Sequence, residues 1–437
     1  MWTYYTKLAW LSIKKTPVLS VLMVVAIATG IAASLTTLTL YSVMASNPLA
    51  HKNDSLFRLQ LDSWTTEWEV GFPNAMPVNI TYKDAKAIYF ADRADQTLLM
   101  ARAGLTLERP DSDLEPTSEP SRLTTNSFFE FFDVEFVYGA PWSDSADRNG
   151  EQVAVISEGM NNRYFDGADS VGEAILLEEE IYTVVGVVSD KWSMIPNVYD
   201  FQTGGFAGPP QIYAPFFNFE RRSFPIWGMI QGWKHEDTST HAQYLESEMI
   251  WVQAWVSLIG ERQFQDFNQY IHDYINEQKQ LGRFDRPLKF ALSTPEKWLE
   301  LGQIVSRDNQ ILVALALAFL LVCLVNSVVL LLAKFLRKAP EAGLRRALGA
   351  SRGAIFVQHL TEAAAIGLAG GLLGLMLSSL GLAGIRSLYS SYDAIAVINN
   401  FTLLAALVLA LASSLLSGLI PAWQVSRAEP SRYLKTQ

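Results

Sequence analysis

Four long apolar segments limit what this chain can fold into more than any other feature. They cover residues 17–44, 310–335, 354–385 and 401–423. Each reaches the ~20 residues that a helix needs to cross the hydrocarbon layer of a bilayer. Residues 46–308, between the first two segments, are far more polar. The sequence therefore predicts a membrane protein with four spans and one large polar domain.

Acidic and basic residues are divided between the two parts of the chain. Residues 46–308 hold 21 Lys and Arg against 40 Asp and Glu, a net charge of −19. The rest of the chain holds 13 basic and 4 acidic residues, a net charge of +9. Because an acidic surface repels phosphate backbones, we expect no nucleic-acid partner.

The basic residues of the membrane part predict the orientation of the chain. They precede the first span, fill the loop between the second and third spans and follow the fourth, whereas the loop between the third and fourth spans offers only Arg386. Lys and Arg concentrate in cytoplasmic loops. We therefore expect cytoplasmic termini and an external polar domain. The basic residues concerned are Lys7, Lys14, Lys15, Lys334, Arg337, Lys338, Arg345, Arg346, Arg352, Arg427, Arg432 and Lys435.

These features predict the organisation of the whole chain. In order, we expect a cytoplasmic segment (1–16), helix 1 (17–45), the external domain (46–308), helix 2 (309–336), a cytoplasmic loop (337–353), helix 3 (354–386), a short external loop (387–400), helix 4 (401–423) and a cytoplasmic tail (424–437). The first span is expected to be an uncleaved helix, because a signal-peptide core has only about 7–15 apolar residues. The only cysteine, Cys323, lies in helix 2, so the external domain is expected to fold without a disulfide.

Strand-like and helix-like patterns alternate in the external domain. They predict strands at 55–61, 152–157, 180–190 and 249–256, helices at 82–91 and 261–280, and a helix followed by a strand over 126–139. The segment 191–233, rich in Gly, Pro and aromatic residues, interrupts them, and we expect it to divide the domain into two subdomains. The expected fold class is a membrane protein with four transmembrane α-helices and a large α+β extracytoplasmic domain inserted between helices 1 and 2.

Two short stretches partly match the motifs of a hydrolase and of a metal site. A G-x-S-x-G match begins at Gly349, but that hydrolase motif must follow a strand, and here the preceding segment is helical. We expect instead a helix stop at Gly349 and a helix N-cap at Ser351. His235, Glu236 and His241 lack the spacing of a metal site and are expected to form a solvated polar turn.

Polar residues and glycines inside the spans are further candidates. Glu362 lies near the cytoplasmic end of helix 3, where it could have an interfacial structural role, paired with a basic loop residue, or a gating role. Asn326 in helix 2 could bond to a neighbouring helix. Helix 3 also carries overlapping G-x-x-x-G pairs, which allow close helix packing within or between protomers. These glycines are Gly367, Gly370, Gly371 and Gly374.

Motifs over most of the chain carry a resemblance to a known family. The membrane part contains EAGLRRALGASRGAI from residue 341, TEAAAIGLAGGLLGL from residue 361 and GLIPAWQVSRAEPSRYLK near the C-terminus. The large polar domain contains NSFFEFFDVEFVYG, QVAVISEGMNNRYF and QIYAPF. The first three stretches resemble the signature after the second span, the third span and the C-terminal end of the MacB/FtsX superfamily (type VII) of ABC transporter permeases. The stretches of the polar domain resemble a MacB-like periplasmic core domain.

The resemblance implies that the loop after helix 2 contains a coupling helix, which docks in a groove of a cytoplasmic ABC ATPase. In a helix, Glu341 and Arg345 can pair on one side, and Leu344 and Leu348 form an apolar ridge. A basic helix lying on anionic lipid is the alternative. The resemblance assigns ATPase coupling to Glu341, Gly343, Leu344, Arg345, Arg346, Leu348 and Gly349.

The resemblance also implies partners and a location. No Gly-Lys pair occurs, so the chain lacks a Walker A loop, and we expect no cofactor in this chain. ATP and Mg²⁺ would be bound by an ATPase on another polypeptide, since the chain starts almost at its first span. The other expected partners are a second permease copy or paralogue, a periplasmic adaptor or other periplasmic protein, and membrane lipid. The expected location is the bacterial inner membrane, with the large domain in the periplasm.

Two functions follow from this resemblance. In the first, the chain is a permease subunit that transmits motion from the ATPase to the periplasmic domain and drives export or efflux of a periplasmic substrate. In the second, the same motion switches a periplasmic partner, such as a cell-wall hydrolase, and nothing is transported. Neighbouring genes would separate them, because an adaptor and an outer-membrane channel favour export. A membrane enzyme is not favoured, because no catalytic site is evident in the sequence.

Overall fold

The computed structural model describes residues 2–67, 74–109, 115–201, 205–304, 307–388, 398 and 400–427. The chain forms two compact units, Ser46–Ile304 and a helical unit made of Met1–Ala45 and Val305–Gln437. Most of the expected external loop 387–400 and of the tail 424–437 lies outside the described residues.

The described helices have the following bounds in chain order: α1 (Trp2–Lys15), α2 (Pro17–Met44), α3 (Tyr82–Ala91), α4 (Ser127–Phe131), α5 (Asp144–Asn149), α6 (Glu158–Phe165), α7 (Asn218–Arg221), α8 (His241–Glu246), α9 (Gly260–Gln280), α10 (Pro295–Leu301), α11 (Arg307–Arg337), α12 (Ala339–Ala347), α13 (Arg352–Leu388) and α14 (Asn400–Ser426). The strands are β1 (Leu56–Leu61), β2 (Ile80–Thr81), β3 (Gln96–Glu108), β4 (Thr117–Thr124), β5 (Phe136–Gly139), β6 (Val153–Ser157), β7 (Ala174–Leu177), β8 (Glu180–Val188), β9 (Ile212–Pro215), β10 (Ile250–Ser257) and β11 (Phe290–Ser293).

Four helices, α2, α11, α13 and α14, are long and apolar enough to cross a membrane. They coincide with the four apolar segments of the sequence. Pro17 occupies the first turn of α2, where its missing N–H breaks no helical hydrogen bond. The sequence did not indicate α1, a separate helix over part of the expected cytoplasmic segment.

Hydroxyl side chains connect the spans in addition to apolar packing. The Thr39 and Thr402 hydroxyls are 2.8 Å apart and join α2 to α14. The Ser34 hydroxyl donates to the Ala316 carbonyl at 3.1 Å, which joins α2 to α11. Such bonds between helices stabilise contact in lipid, where apolar burial supplies no driving force.

The unit Ser46–Ile304 is built on one mixed sheet, as the α+β prediction requires. Its described strands run in the order β11-β1-β10-β3-β4-β9-β6-β8-β5, with β2 beside β10, and β7 beside β3 and β8. Most neighbours are antiparallel, while the β4–β9 and β6–β8 pairs are parallel. Apolar clusters cover both faces, so β3 alternates between them: Leu99 and Ala101 belong to one cluster, and Leu98 and Met100 to the other.

The segment 191–233 does not divide this unit into two. It contains β9, which pairs with β4 on one side and β6 on the other, so the sheet is continuous through it. The contacts of Ser46–Ile304 accordingly form one compact unit, which corrects the expected division into subdomains. The sequence misled us because glycine and proline are frequent around a strand of only four residues.

Two contacts hold this segment on the sheet. The Asp200 carboxylate accepts a hydrogen bond from the Arg122 guanidinium at 2.6 Å, and both side chains are buried. The Trp227 ring lies on Gly104 of β3, where a Cβ atom would come within 1.8 Å of the ring. A side chain at Gly104 would therefore displace the tryptophan.

Candidate functional site

Helix α12 forms where the sequence placed the coupling helix. Pro340 is in its first turn, where proline is tolerated, and its small residues Ala339, Ala342 and Gly343 are buried in the helical unit. The helix ends before Gly349, whose φ of +102° suits a residue without a side chain. The backbone N–H of Ala354 then bonds to the Ser351 hydroxyl at 3.1 Å, which confirms the predicted N-cap.

The other face of α12 is apolar and points away from its own unit. Leu344 is 53% exposed and Leu348 is 80% exposed, and these residues are one turn apart. Beside them, the Arg345 guanidinium pairs with the Glu341 carboxylate at 2.7 Å, as their spacing predicts, and donates to the Gln358 side chain at 3.0 Å. Arg346 is half-buried. The helix thus presents an apolar ridge bordered by an ion pair.

A buried ion pair lies behind α12 in the helical unit. The Glu362 carboxylate of α13 is 2.7 Å from the Lys334 ammonium of α11, and both side chains are at most 1% exposed. The Lys338 ammonium, directly before α12, is 3.5 Å from the same carboxylate. Glu362 therefore pairs with a basic residue of the loop, one of the arrangements that the sequence left open.

Hydroxyl groups complete the hydrogen bonds of this pair. Ser12 of α1 bonds to both Glu362 and Lys338. Lys334 donates to the Ser20 hydroxyl at 2.9 Å. Burial lowers the pKa of the Lys338 ammonium, and the attraction of Glu362 opposes this shift. The network connects α1, α2, α11 and α13 at the base of α12.

Three members of this site were not predicted from the sequence: Ser12, Ser20 and His359. The His359 ring packs on Phe335 with 4.3 Å between ring centres. Its Nδ1 is buried and has no hydrogen-bond partner among the described residues. His359 could have been predicted as a neighbour of Glu362, because the two residues are three apart and lie on one face of α13.

The four glycines of α13 contact other helices of the same chain. A Cβ atom would lie 2.1 Å from Ser414 Cβ at Gly367, and 2.3 Å from Ala410 Cβ at Gly371. The other two glycines, Gly370 and Gly374, face α2, where a Cβ atom would lie 2.8 Å from Ile27 and 2.9 Å from Ile31. Of the two arrangements that the sequence left open, the structure thus shows packing within one protomer.

Asn326 makes no bond to a neighbouring helix within the described part of its own chain. It lies on the exposed face of α11, and its amide has no hydrogen-bond partner in the described part of the chain. The reason is its position on the helix: α11 turns Cys323, Leu324 and Ser327 towards its own unit, and Asn326 lies to one side of them.

The histidine segment in the external domain is a polar turn that leads into a short helix. His241 begins α8, and its Nε2 is 2.5 Å from the Phe219 carbonyl oxygen. The Glu236 carboxylate accepts a hydrogen bond from the backbone N–H of Glu248 at 2.6 Å. Residues 232–240 form neither helix nor strand and are mostly exposed, His235 included, as the polar-turn prediction has it. His241 differs from that prediction, because it belongs to a helix.

Comparisons with known proteins show to which family the chain belongs. Residues 20–254 match the family model of the MacB-like periplasmic core domain, and residues 313–430 match that of the FtsX-like permease C-terminal region. The macrolide export ATP-binding/permease protein MacB of Burkholderia cenocepacia is 26% identical over 77% of this chain and 47% of its own length. The chain thus spans about half the length of that relative.

Other similar proteins include a permease and two solved domains. The uncharacterized ABC transporter permease YvrN of Bacillus subtilis is 25% identical over 70% of this chain and 67% of its own length. The periplasmic region of MacB from Actinobacillus actinomycetemcomitans aligns with a TM-score of 0.36 and 10% identity, covering 57% of this chain and 95% of that one. The extracellular domain of YknZ from Gram-positive bacteria aligns with a TM-score of 0.34 and 12% identity, covering 55% and 100%.

The core-domain model covers more than half of the chain, and the permease model covers the last three spans together with α12. The chain therefore belongs to the MacB/FtsX-type family of ABC transporter permeases.

Proposed function

We propose that this chain is the permease subunit of an export system in the bacterial cytoplasmic membrane, with α12 seated in a groove of a cytoplasmic ABC ATPase. The ATPase binds ATP and Mg²⁺, and its motion passes through the membrane helices to the external domain, which drives a periplasmic substrate outwards. The apolar ridge of Leu344 and Leu348 carries this proposal, because it is the surface that an amphipathic helix offers to a groove.

The contacts behind α12 support transmission of its motion. Lys338, at the start of α12, binds Glu362 of α13, and Arg345 binds Gln358 of the same helix. A displacement of α12 therefore acts on α13 through side chains at both ends of α12, and on α11 through the chain itself. Packed helices of this kind can serve as elements with two discrete positions.

The name of the Burkholderia relative also supports an ATPase partner, because it combines ATP binding and permease in one protein. Export is favoured over regulation on the same ground, since that relative is named for macrolide export.

The variant Leu344→Asp tests the docking. It places an unpaired carboxylate in a desolvated contact, which costs about 1–3 kcal/mol and weakens binding by roughly five- to 150-fold. We expect normal amounts of the chain in membranes, and loss of the ATPase when the chain is affinity-purified in mild detergent and its partners are identified by mass spectrometry.

Leu281→Asp is the matched control, because Leu281 is 69% exposed in the external domain and receives the same charge. It should retain the ATPase. If Leu344→Asp also retains the ATPase and supports full function in cells, α12 is not the docking helix and its exposed ridge lies on lipid.

A further inference from the structure

A cavity of about 140 Å³ lies between α1, α12 and α13. This is many times the roughly 10–15 Å³ that one water molecule requires. Leu8, Leu11 and Ile355 form its apolar lining, and charged and polar side chains form the remainder. An occupant would therefore need a polar group and an adjoining apolar part.

Positive charge predominates around this cavity. Lys15, Lys338 and Arg345 line it, against the single carboxylate of Glu341. Glu341 is already paired with Arg345, and Lys338 shares Glu362 with Lys334. The ammonium of Lys15 has no ion-pair or hydrogen-bond partner in the described part of the chain. The cavity thus offers a free cation and favours an anion.

A buried polar atom also lacks a partner here. His359 lines the cavity, is only 3% exposed, and leaves its Nδ1 without a hydrogen bond among the described residues. A buried polar atom without a partner is unfavourable. If the ring turns so that Nδ1 faces the cavity, an oxygen of a bound anion can accept a hydrogen bond from its Nδ1–H group.

The outer side of α1 resembles a helix that lies at the membrane surface. Trp10 is 59% exposed, with the Lys14 ammonium 5.2 Å from its ring centre, and Leu11 next to it is exposed. Trp and Lys side chains in this combination favour the level of the lipid headgroups. With α1 at that level, the cavity, which Leu11 and Lys15 of the same helix bound, would be within reach of headgroup phosphates.

We propose that this cavity binds the phosphate headgroup of an anionic phospholipid, with Lys15, Lys338 and His359 around the phosphate and the lipid chains beginning along Leu8 and Leu11. The assignment to the cytoplasmic leaflet rests on the proposed function, which sets the orientation of α12. A lipid bound here contacts α1, α12 and α13 together, so it stabilises α12 in its position against the spans.

The test is a titration of the purified, delipidated full chain with phosphatidylglycerol, in which bound lipid is measured by native mass spectrometry. We expect phosphatidylglycerol to bind more tightly than phosphatidylcholine. Lys15→Gln should weaken phosphatidylglycerol binding about fivefold, as expected for removal of one cation near the phosphate. Lys14→Gln is the matched control: it removes the same charge from the adjacent residue, which does not line the cavity, and should weaken binding much less.

Equal weakening by Lys14→Gln and Lys15→Gln would overturn the site, because it would show general attraction to a basic helix. No effect of Lys15→Gln would overturn it as well. Displacement of the lipid by millimolar inorganic phosphate would show a site for free phosphate rather than for lipid. Since the titration contains no ATPase, its outcome is independent of the Leu344→Asp experiment.

Discussion

Glu362 and Lys334 are charged residues that the membrane part keeps fully buried. Burial of both charges costs free energy that their attraction repays only when the remaining hydrogen bonds are satisfied. The Ser12 and Ser20 hydroxyls supply such bonds, one to each partner. The complete pair therefore adds little to the free energy of unfolding. Removal of one partner alone is costly, because it leaves the other charge buried and unpaired.

The variant Glu362→Gln should destabilise the chain markedly. It leaves the Lys334 ammonium buried without a counter-charge, and breaking a buried pair in this way costs about 3–5 kcal/mol. The measurement is the apparent melting temperature of the full chain in mild detergent. Glu341→Gln is the control, because the exposed Glu341–Arg345 pair contributes only about 0.2–1 kcal/mol.

A double variant, Glu362→Leu with Lys334→Met, separates the cost of an unpaired buried charge from the loss of the ion pair itself. It removes both charges, so it should recover much of the stability that Glu362→Gln loses. If the single variant melts like the wild type, the ion pair described here does not contribute to stability.

For single residues, the sequence predicts a side-chain partner when the two residues are close along one helix or lie at the same level of the membrane. It does not predict partners that are distant in the sequence and meet only on folding. The position of Glu362 near the end of its span indicated a basic partner, and the spacing of Glu341 and Arg345 indicated their pair. Ser12 is 350 residues from Glu362 and meets it only because α1 packs against α13. Nothing local to Ser12 distinguishes it from an ordinary surface serine.

Among the secondary-structure elements, α11 is the span that is least buried by the rest of its own chain. Its exposed face carries Asn326 among apolar residues such as Val322, Val325 and Val329. An amide facing hydrocarbon is unfavourable, whereas two amides from a symmetric pair of chains can bond to each other. We therefore predict that a second copy of the chain covers this face.

Cross-linking tests this prediction. In a Cys323→Ser background, Asn326→Cys should give a disulfide-linked dimer in oxidised membranes. Ser327→Cys should not, because this adjacent position is buried in its own chain. A monomer in both cases would show that α11 does not face a second copy.

Elements with strong local signals were predicted well. The helix 82–91 was confirmed as α3, since the Thr81 hydroxyl accepts from the Asp84 N–H and caps it. Strands at 55–61 and 249–256 were confirmed as β1 and β10, which neighbour each other in the sheet. Short helices such as α5 and α8, of six residues each, were not predicted. Six residues are too few to show the periodic pattern of apolar residues that indicates a helix.

At the scale of the whole molecule, the division of charge predicts the topology. With a basic membrane part and an acidic domain, we expect α12 inside and the large domain outside. In a Cys323→Ser background, Ser145→Cys should react with an impermeant thiol reagent on intact cells. Ser351→Cys should react only after the membrane is opened. Both positions are exposed, so burial does not affect the comparison. The reverse labelling pattern would reject this orientation.

The close contacts of α13 determine how this membrane part can move. Its glycines meet Ser414 and Ala410 on one side and Ile27 and Ile31 on the other, at distances that leave no space for a methyl group. A helix packed this way cannot slide by one residue, because the next side chain would collide with its neighbour. We therefore expect α2, α13 and α14 to move together as one rigid body. A displacement of α12 would then move all three helices of the chain at once, without changing their packing.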